Sequence, residues 1–248
     1  MNIFIFDLDI KKNVSYYCDE HIRKMPIETA QMLSYSHHLF PHVNSDKWLK
    51  DLVNAESIHE YQQARANHPC SKWVRESRNN YIFLLELGKE LCKEFEVRFG
   101  HKIKSEEKIN WLNKNIPVLP CIKRTPFPQC MPDQYKVKTG NFDEDVVKAY
   151  RNYFIGEKAS WATWNRSEII PEWLPDEIKI KKKLQKIDWL EKQRIDSLKI
   201  RIGSRIVISS EENAQIISYY SNDRIGIKKE NNYKSEIRKN DIIKVIEY

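Results

Sequence analysis

No stretch of about 18 consecutive apolar residues occurs in the chain, so no membrane-spanning helix is expected. The opening run from Met1 to Asp7 has neither a basic leader nor a long apolar segment, and a cytoplasmic protein is expected. Glycine and proline are sparse, at 6 and 10 of 248 residues, which excludes a fibrous or low-complexity chain. Five cysteines, Cys18, Cys70, Cys92, Cys121 and Cys130, make an odd number with no CxxC pair. That pattern argues against a disulfide framework or a zinc site, and for reduced thiols in an intracellular compartment. No Walker loop, GxGxxG, HExxH or GxSxG is present, which removes the commonest nucleotide-dependent and hydrolase mechanisms. The seven histidines show no spacing that compels a metal site, and neither metal nor cofactor is expected.

What is present suffices for a real core: 41% hydrophobic and 11% aromatic residues. The formal charge is +7, and its placement is uneven. From Lys179 to Arg201 nine Lys or Arg face three carboxylates, a local excess of six that suits a polyanionic partner. Residues 2–7 alternate and are β-rich, predicting a short strand. Helical spacing follows from about 12 to 39 with Pro26 at a kink or first turn, and short helices are expected between 48 and 67. One long amphipathic helix is predicted over 71–99, stopped by Gly100. Residues 114–141 hold five prolines and read as a long ordered loop of the kind that often carries function. Helices return at 143–159 and 176–197. After Lys199 come short β runs at 200–202, 205–209, 216–220, 225–227 and 242–246, which fit a small closed SH3-like or OB-like barrel. The expected architecture is a mainly α domain (1–165), a basic helical linker (166–198) and the barrel (199–248).

Three clusters carry candidate chemistry. In the first, His21, Lys24 and Glu28 share one face of a continuous helix, with Arg23 beside them, an arrangement able to hold a phosphate next to a general acid. In the second, His68 and Arg75 flank Trp73 near the start of the long helix, where an anion is favoured. The third interleaves Tyr150, Arg151, Tyr153, Trp161 and Trp164, a composition suited to stacking bases between phosphate contacts. Each has a bland counterpart: solvated helix charges, ordinary capping, or aromatic core.

The order of these pieces, with Asp19-x-His21, Glu28 and the long Trp73–Gly100 helix ahead of an aromatic-basic tail, resembles the pyrimidine-dimer DNA glycosylase/AP lyase (phage endonuclease V-like) family over about residues 1–165. It is also similar to related short phage and bacterial proteins. The resemblance implies that the chain's α-amino group attacks the sugar C1′ carbon and leaves an imine that undergoes β-elimination. It also implies that Glu28 assists and that Arg23 or Lys24 contacts phosphate. An α-amine with a pKa of about 7.7–8.0 is partly neutral at physiological pH, unlike an ordinary lysine. Met1 and Asn2 are therefore catalytic candidates beside Glu28. A bulky Asn2 leaves Met1 in place and displaces the amine by up to about 3.5 Å. A water-using glycosylase with Glu28 as general base or oxocarbenium stabiliser is the alternative.

The leading expectation is a glycosylase acting on a damaged or modified base in double-stranded DNA, with the base extruded from the stack. Two rivals stand beside it: a non-catalytic nucleic-acid-binding or assembly protein on the same scaffold, and an enzyme cleaving the glycosidic bond of free nucleotides or nucleosides. A protein partner for the barrel is a further expectation.

Overall fold

The structure is a computed structural model and describes residues 2–39, 66–197, 200, 203–219 and 224–247. Seven α-helices and a C-terminal antiparallel sheet of five strands lie among these residues, a mainly α architecture with a small β unit. The chain divides into two compact units, up to Lys182 and from Lys183 onward, with the boundary inside the last helix. None of the described helices is long and apolar enough to cross a membrane.

The expected N-terminal strand does not form. Residues 2–5 have no assigned secondary structure and pair with no strand. Ile3, Phe4, Ile5 and Phe6 are all buried, and side chains satisfy their backbone groups. The Asn13 side chain accepts from Phe6 N at 2.7 Å and donates to Phe4 O at 3.1 Å. Tyr17 Oη also donates to Phe4 O, and Arg151 donates twice to Phe6 O. A β-rich apolar run is here a core plug whose hydrogen-bonding groups are met without a ladder.

Helix α1 (Ile10–Ser15) starts on an Asp9 cap that accepts from Lys12 N. Helix α2 (Asp19–Leu39) carries Asp19 and Glu20 in its first turn, where the macrodipole favours anions. Pro26 sits inside α2 rather than at its start, at the cost of one intrahelical bond. The single helix predicted over 71–99 is two, α3 (Pro69–Glu76) and α4 (Arg78–Phe99). Ser77, extended at φ −149° and ψ 155°, ends the first and caps the second through its hydroxyl. Gly100, at φ 74°, closes α4 in the left-handed conformation as predicted. Helix α2 packs on α4. The approach is close at Gly88, where a Cβ would lie 2.8 Å from Thr29 Cγ2.

Helix α5 (Ser105–Lys114) precedes the proline-rich stretch, which is irregular apart from one 3₁₀ turn at Asp133–Tyr135. Helix α6 (Phe142–Glu157) is capped by Asn141, and helix α7 (Asp176–Ser197) ends the helical series. The short helices expected between 48 and 67 lie outside the described residues as far as 65, and 66–67 form a turn.

Strands β1 (Arg205–Ile208), β2 (Asn213–Tyr219), β3 (Arg224–Lys229), β4 (Lys234–Arg238) and β5 (Ile242–Glu247) pair in the order β4-β3-β2-β1-β5. The predicted barrel is not closed: β4 and β5 are the two edges of an open sheet. Strand β4 alternates between exposed and half-buried positions, with Ile237 packed against the core, and it pairs with β3 but not with β5. In this unit Arg194, near the end of α7, donates to Ile242 O and Asn240 O and ties the helix tail to the start of β5.

Candidate functional site

The start of the chain and Glu28 meet. Asn2 N donates to Glu28 Oε2 at 3.3 Å, and Lys24 Nζ pairs with Glu28 Oε1 at 2.9 Å one helical turn away. Glu28 is 8% exposed whereas the Lys24 side chain is 68% exposed, so a sheltered carboxylate looks outward through a solvated cation. Asn2 is fixed by its side chain: Nδ2 donates to Cys130 O, and Oδ1 accepts from Tyr150 Oη at 2.7 Å and from Ile3 N. Met1, the other catalytic candidate, lies outside the described residues.

His21 shares the face of α2 that carries Lys24 and Glu28. Its ring stacks on Phe4 at 4.4 Å and meets the edges or faces of Tyr17, Phe154 and Trp161 within 6 Å. Burial, with help from Lys158 and Lys24, lowers its pKa to about 3. A neutral imidazole enclosed among rings is poorly suited to hold phosphate as a cation. Its Nδ1 is buried and has no hydrogen-bond partner in the structure. Lys158, absent from the candidate residues drawn from sequence, stands beside it. Its Nζ lies over the rings of Tyr153 at 4.9 Å, Trp161 at 5.6 Å and Phe4 at 5.8 Å, a three-sided aromatic cage. The signal for Lys158 was its place in the 150–164 cluster, but nothing local marked it above its neighbours.

Of the aromatic candidates, Trp161 is 46% exposed and Tyr153 half-buried, so both are placed to meet a planar ligand. Trp73 and Trp164 are not. Both are fully enclosed, with Nε1 donating to Thr125 O and Tyr16 O respectively, and Trp73 packs on Phe127. Tyr150 is likewise core, and its hydroxyl positions Asn2 rather than a substrate. The basic candidates scatter. Arg23 lies over Phe99 with Arg166 over the same ring. Arg75 donates to Ala66 O and lies over Tyr35. Arg151 is held by Phe6 O and Asp7. His68 caps α3 by accepting from Cys70 N. Each of the four is engaged with a different carbonyl, ring or helix end.

Asp19, part of the motif that suggested the family, is structural. It pairs at 3.1 Å with the fully buried Arg98 and accepts from Arg166 N. Glu20 accepts from Thr163 N and Oγ1, fixing the segment that carries Trp161. A second group adjoins Asn2: Cys70 Sγ lies 3.5 Å from Asn2 Oδ1 and 3.3 Å from Cys130 Sγ. The Cys70 thiol is pushed up by its neighbouring sulfur and by burial, while Cys130 is drawn down by the Cys70 hydrogen bond. Of three surface hollows of about 550–600 Å³, the first is lined by Asp7, Asp143, Trp173 and, of the candidates, Arg151, and the other two by none of the candidates.

Compared with protein-family models, with curated proteins and with solved structures, the chain matches none.

Proposed function

We propose that the first unit is a glycosidic-bond-cleaving enzyme of the DNA glycosylase kind, acting on a damaged or modified base in double-stranded DNA. The observation that carries this reading is the 3.3 Å hydrogen bond from the Asn2 backbone amide to the sheltered Glu28 carboxylate, which brings the second residue of the chain to that carboxyl group. An amine at the start of the chain attacks the sugar C1′, and the base departs with the electron pair of the glycosidic bond and takes up a proton. The amine gives up a proton as the C1′–N bond forms; the C1′–O4′ bond then breaks, O4′ taking its electron pair and a proton, and the imine so formed loses a C2′ proton and expels the 3′ phosphate. Glu28, negatively charged at the bond being broken, stabilises the cationic sugar and moves protons. Trp161 and Tyr153 offer stacking surface to the extruded base, Lys24 and Lys158 supply positive charge, and neutral His21 can hydrogen-bond a base edge.

The test is incubation with duplexes carrying a cyclobutane dimer, uracil or a hypermodified pyrimidine, in the presence of borohydride. Base release with a trapped protein–DNA adduct is expected, and the mass of the mature N-terminus then identifies the amine. Base release without an adduct would point to water as nucleophile. Tight binding with no release on any substrate would overturn the enzymatic reading in favour of a non-catalytic nucleic-acid-binding protein. Turnover of a free nucleoside that is indifferent to salt and to competing DNA would redirect it to small substrates, since DNA binding weakens steeply with salt.

A further inference from the structure

We infer that His68, Cys70 and Cys130 form a binding site for a divalent transition-metal ion of the zinc class, with its fourth coordination position open. The three residues offer one imidazole nitrogen and two sulfurs, all within 4.8 Å of one another. They come from two places in the chain, the start of α3 and the proline-rich stretch. The sequence therefore gives no metal-ligand spacing, although the fold supplies the set. Two sulfurs and one imidazole are soft and borderline donors, a combination that selects zinc, cobalt(II) or copper(I) over magnesium or calcium. In a tetrahedral site with Zn–S of about 2.3 Å the sulfurs stand roughly 3.8 Å apart. Opening the present 3.3 Å separation to that value takes about half an ångström, which small side-chain rotations provide.

The surroundings are those of a built site. Cys70 is fully buried while His68 and Cys130 are half-buried, so the ligands are fixed on one side and reachable on the other. Asn2, held by Tyr150 Oη and Ile3 N, abuts the Cys70 sulfur and leads directly to Glu28. Three protein ligands with a remaining position is the pattern of zinc sites that bind water or substrate, whereas structural sites have four. Each thiol gives up a proton on coordination, and those protons pass to solvent.

This inference goes beyond the glycosylase reading and does not depend on it, because its test uses neither DNA nor turnover. The full chain, purified under reducing conditions and freed of metal, is titrated with cobalt(II). One equivalent is expected to produce a near-ultraviolet sulfur-to-cobalt charge-transfer band and the intense visible bands of a tetrahedral site, both bleached by zinc. Cys130→Ser is expected to abolish the charge-transfer intensity contributed by that sulfur. It should weaken binding by more than the roughly 10–100-fold that outer-shell changes cost. His68→Asn keeps a residue able to cap α3 and should weaken binding similarly, with the helical circular dichroism unchanged. Cys121→Ser, at an exposed thiol, should change nothing. Absence of the bands in protein whose thiols all react with a thiol reagent would overturn the site. So would a Cys70–Cys130 disulfide whose reduction restores the thiols but not cobalt binding.

Discussion

The two units solve the problem of burial in opposite ways. The first packs Trp, Tyr and Phe side chains against one another and buries ionisable or reactive groups among them: Asp19, His21, Glu28, Arg98 and Cys70. The second closes its core with Ile206, Ile208, Ile216, Ile225, Ile227 and Ile242 plus Ala214. Among the described residues its one buried polar residue is Ser204. Catalysis and tight ligand recognition both draw on polar groups removed from water and held by neighbours. Among the described residues the first unit has many of them and the second has Ser204 alone. The contrast is the reason the proposed chemistry is placed in residues up to Lys182.

The sharpest way to break that contrast is Glu28→Gln. The substitution keeps the shape and the hydrogen bond to Asn2 N but removes the charge. We expect base release to fall by about 10²–10⁴-fold, the usual worth of a positioned acid–base group. Affinity for undamaged duplex should stay within a factor of a few. An unchanged rate would remove the centre of the assignment to the first unit.

Next in size is the buried ion pair. Asp19→Asn takes one of two carboxylates from the fully enclosed Arg98 and leaves it Glu94 at 2.7 Å, so the loss should fall below the about 3–5 kcal/mol of a buried pair broken completely on one side. The two compact units are expected to unfold in separate transitions, of which only the one belonging to the helical unit should move. The counterpart in the sheet is Ile227→Ala, at the centre of the isoleucine core. It should lower the other transition by about 2–4 kcal/mol, a large share of what so small a unit holds. Denaturation followed separately by tryptophan fluorescence and by hydrogen exchange distinguishes the two. A single transition shifted by both substitutions would merge the units.

Several elements were legible in the sequence, for physical reasons that differ from one to the next, although the expected boundaries at 165 and 198 are not where the two units meet. Gly100 marks the end of α4 because a left-handed closing residue leaves a local signature. The break at Ser77 escaped because apolar spacing runs on through it, and only a capping hydroxyl marks the change of direction. Strand β4, Lys-Ser-Glu-Ile-Arg, escaped because an edge strand needs few apolar residues. The N-terminal run has β composition, but Asn13, Tyr17 and Arg151 supply the hydrogen bonds a neighbouring strand would have given. At the site, the shared face of His21, Lys24 and Glu28 follows from helical spacing alone. The meeting of Asn2 with Glu28 was an expectation taken from the family resemblance. Composition could not separate core Trp73 and Trp164 from exposed Trp161, nor bring together two cysteines 60 positions apart.

The smallest expected effect is a dependence on pH that belongs to one unit only. All seven histidines precede residue 102, so between pH 6.5 and 5 the sheet unit has no histidine to titrate. In the folded helical unit His21 stays neutral down to about pH 3, because burial among aromatic rings beside Lys158 and Lys24 opposes its charge. The unfolded chain takes up the proton near pH 6.5, so below that value the unfolded state binds more protons and folding stability falls as pH falls. Above pH 6.5 both states are neutral and His21 adds no slope; below about pH 3 both are charged and the loss is complete. From pH 6.5 to pH 5 the loss amounts to about 2 kcal/mol. Comparing the wild type with His21→Gln isolates it from the other histidines, since the substituted protein should lose that part of the slope in the first transition and leave the second untouched. Equal slopes in the two proteins would mean that His21 takes up its proton in the folded state, and that its enclosure opens readily to water.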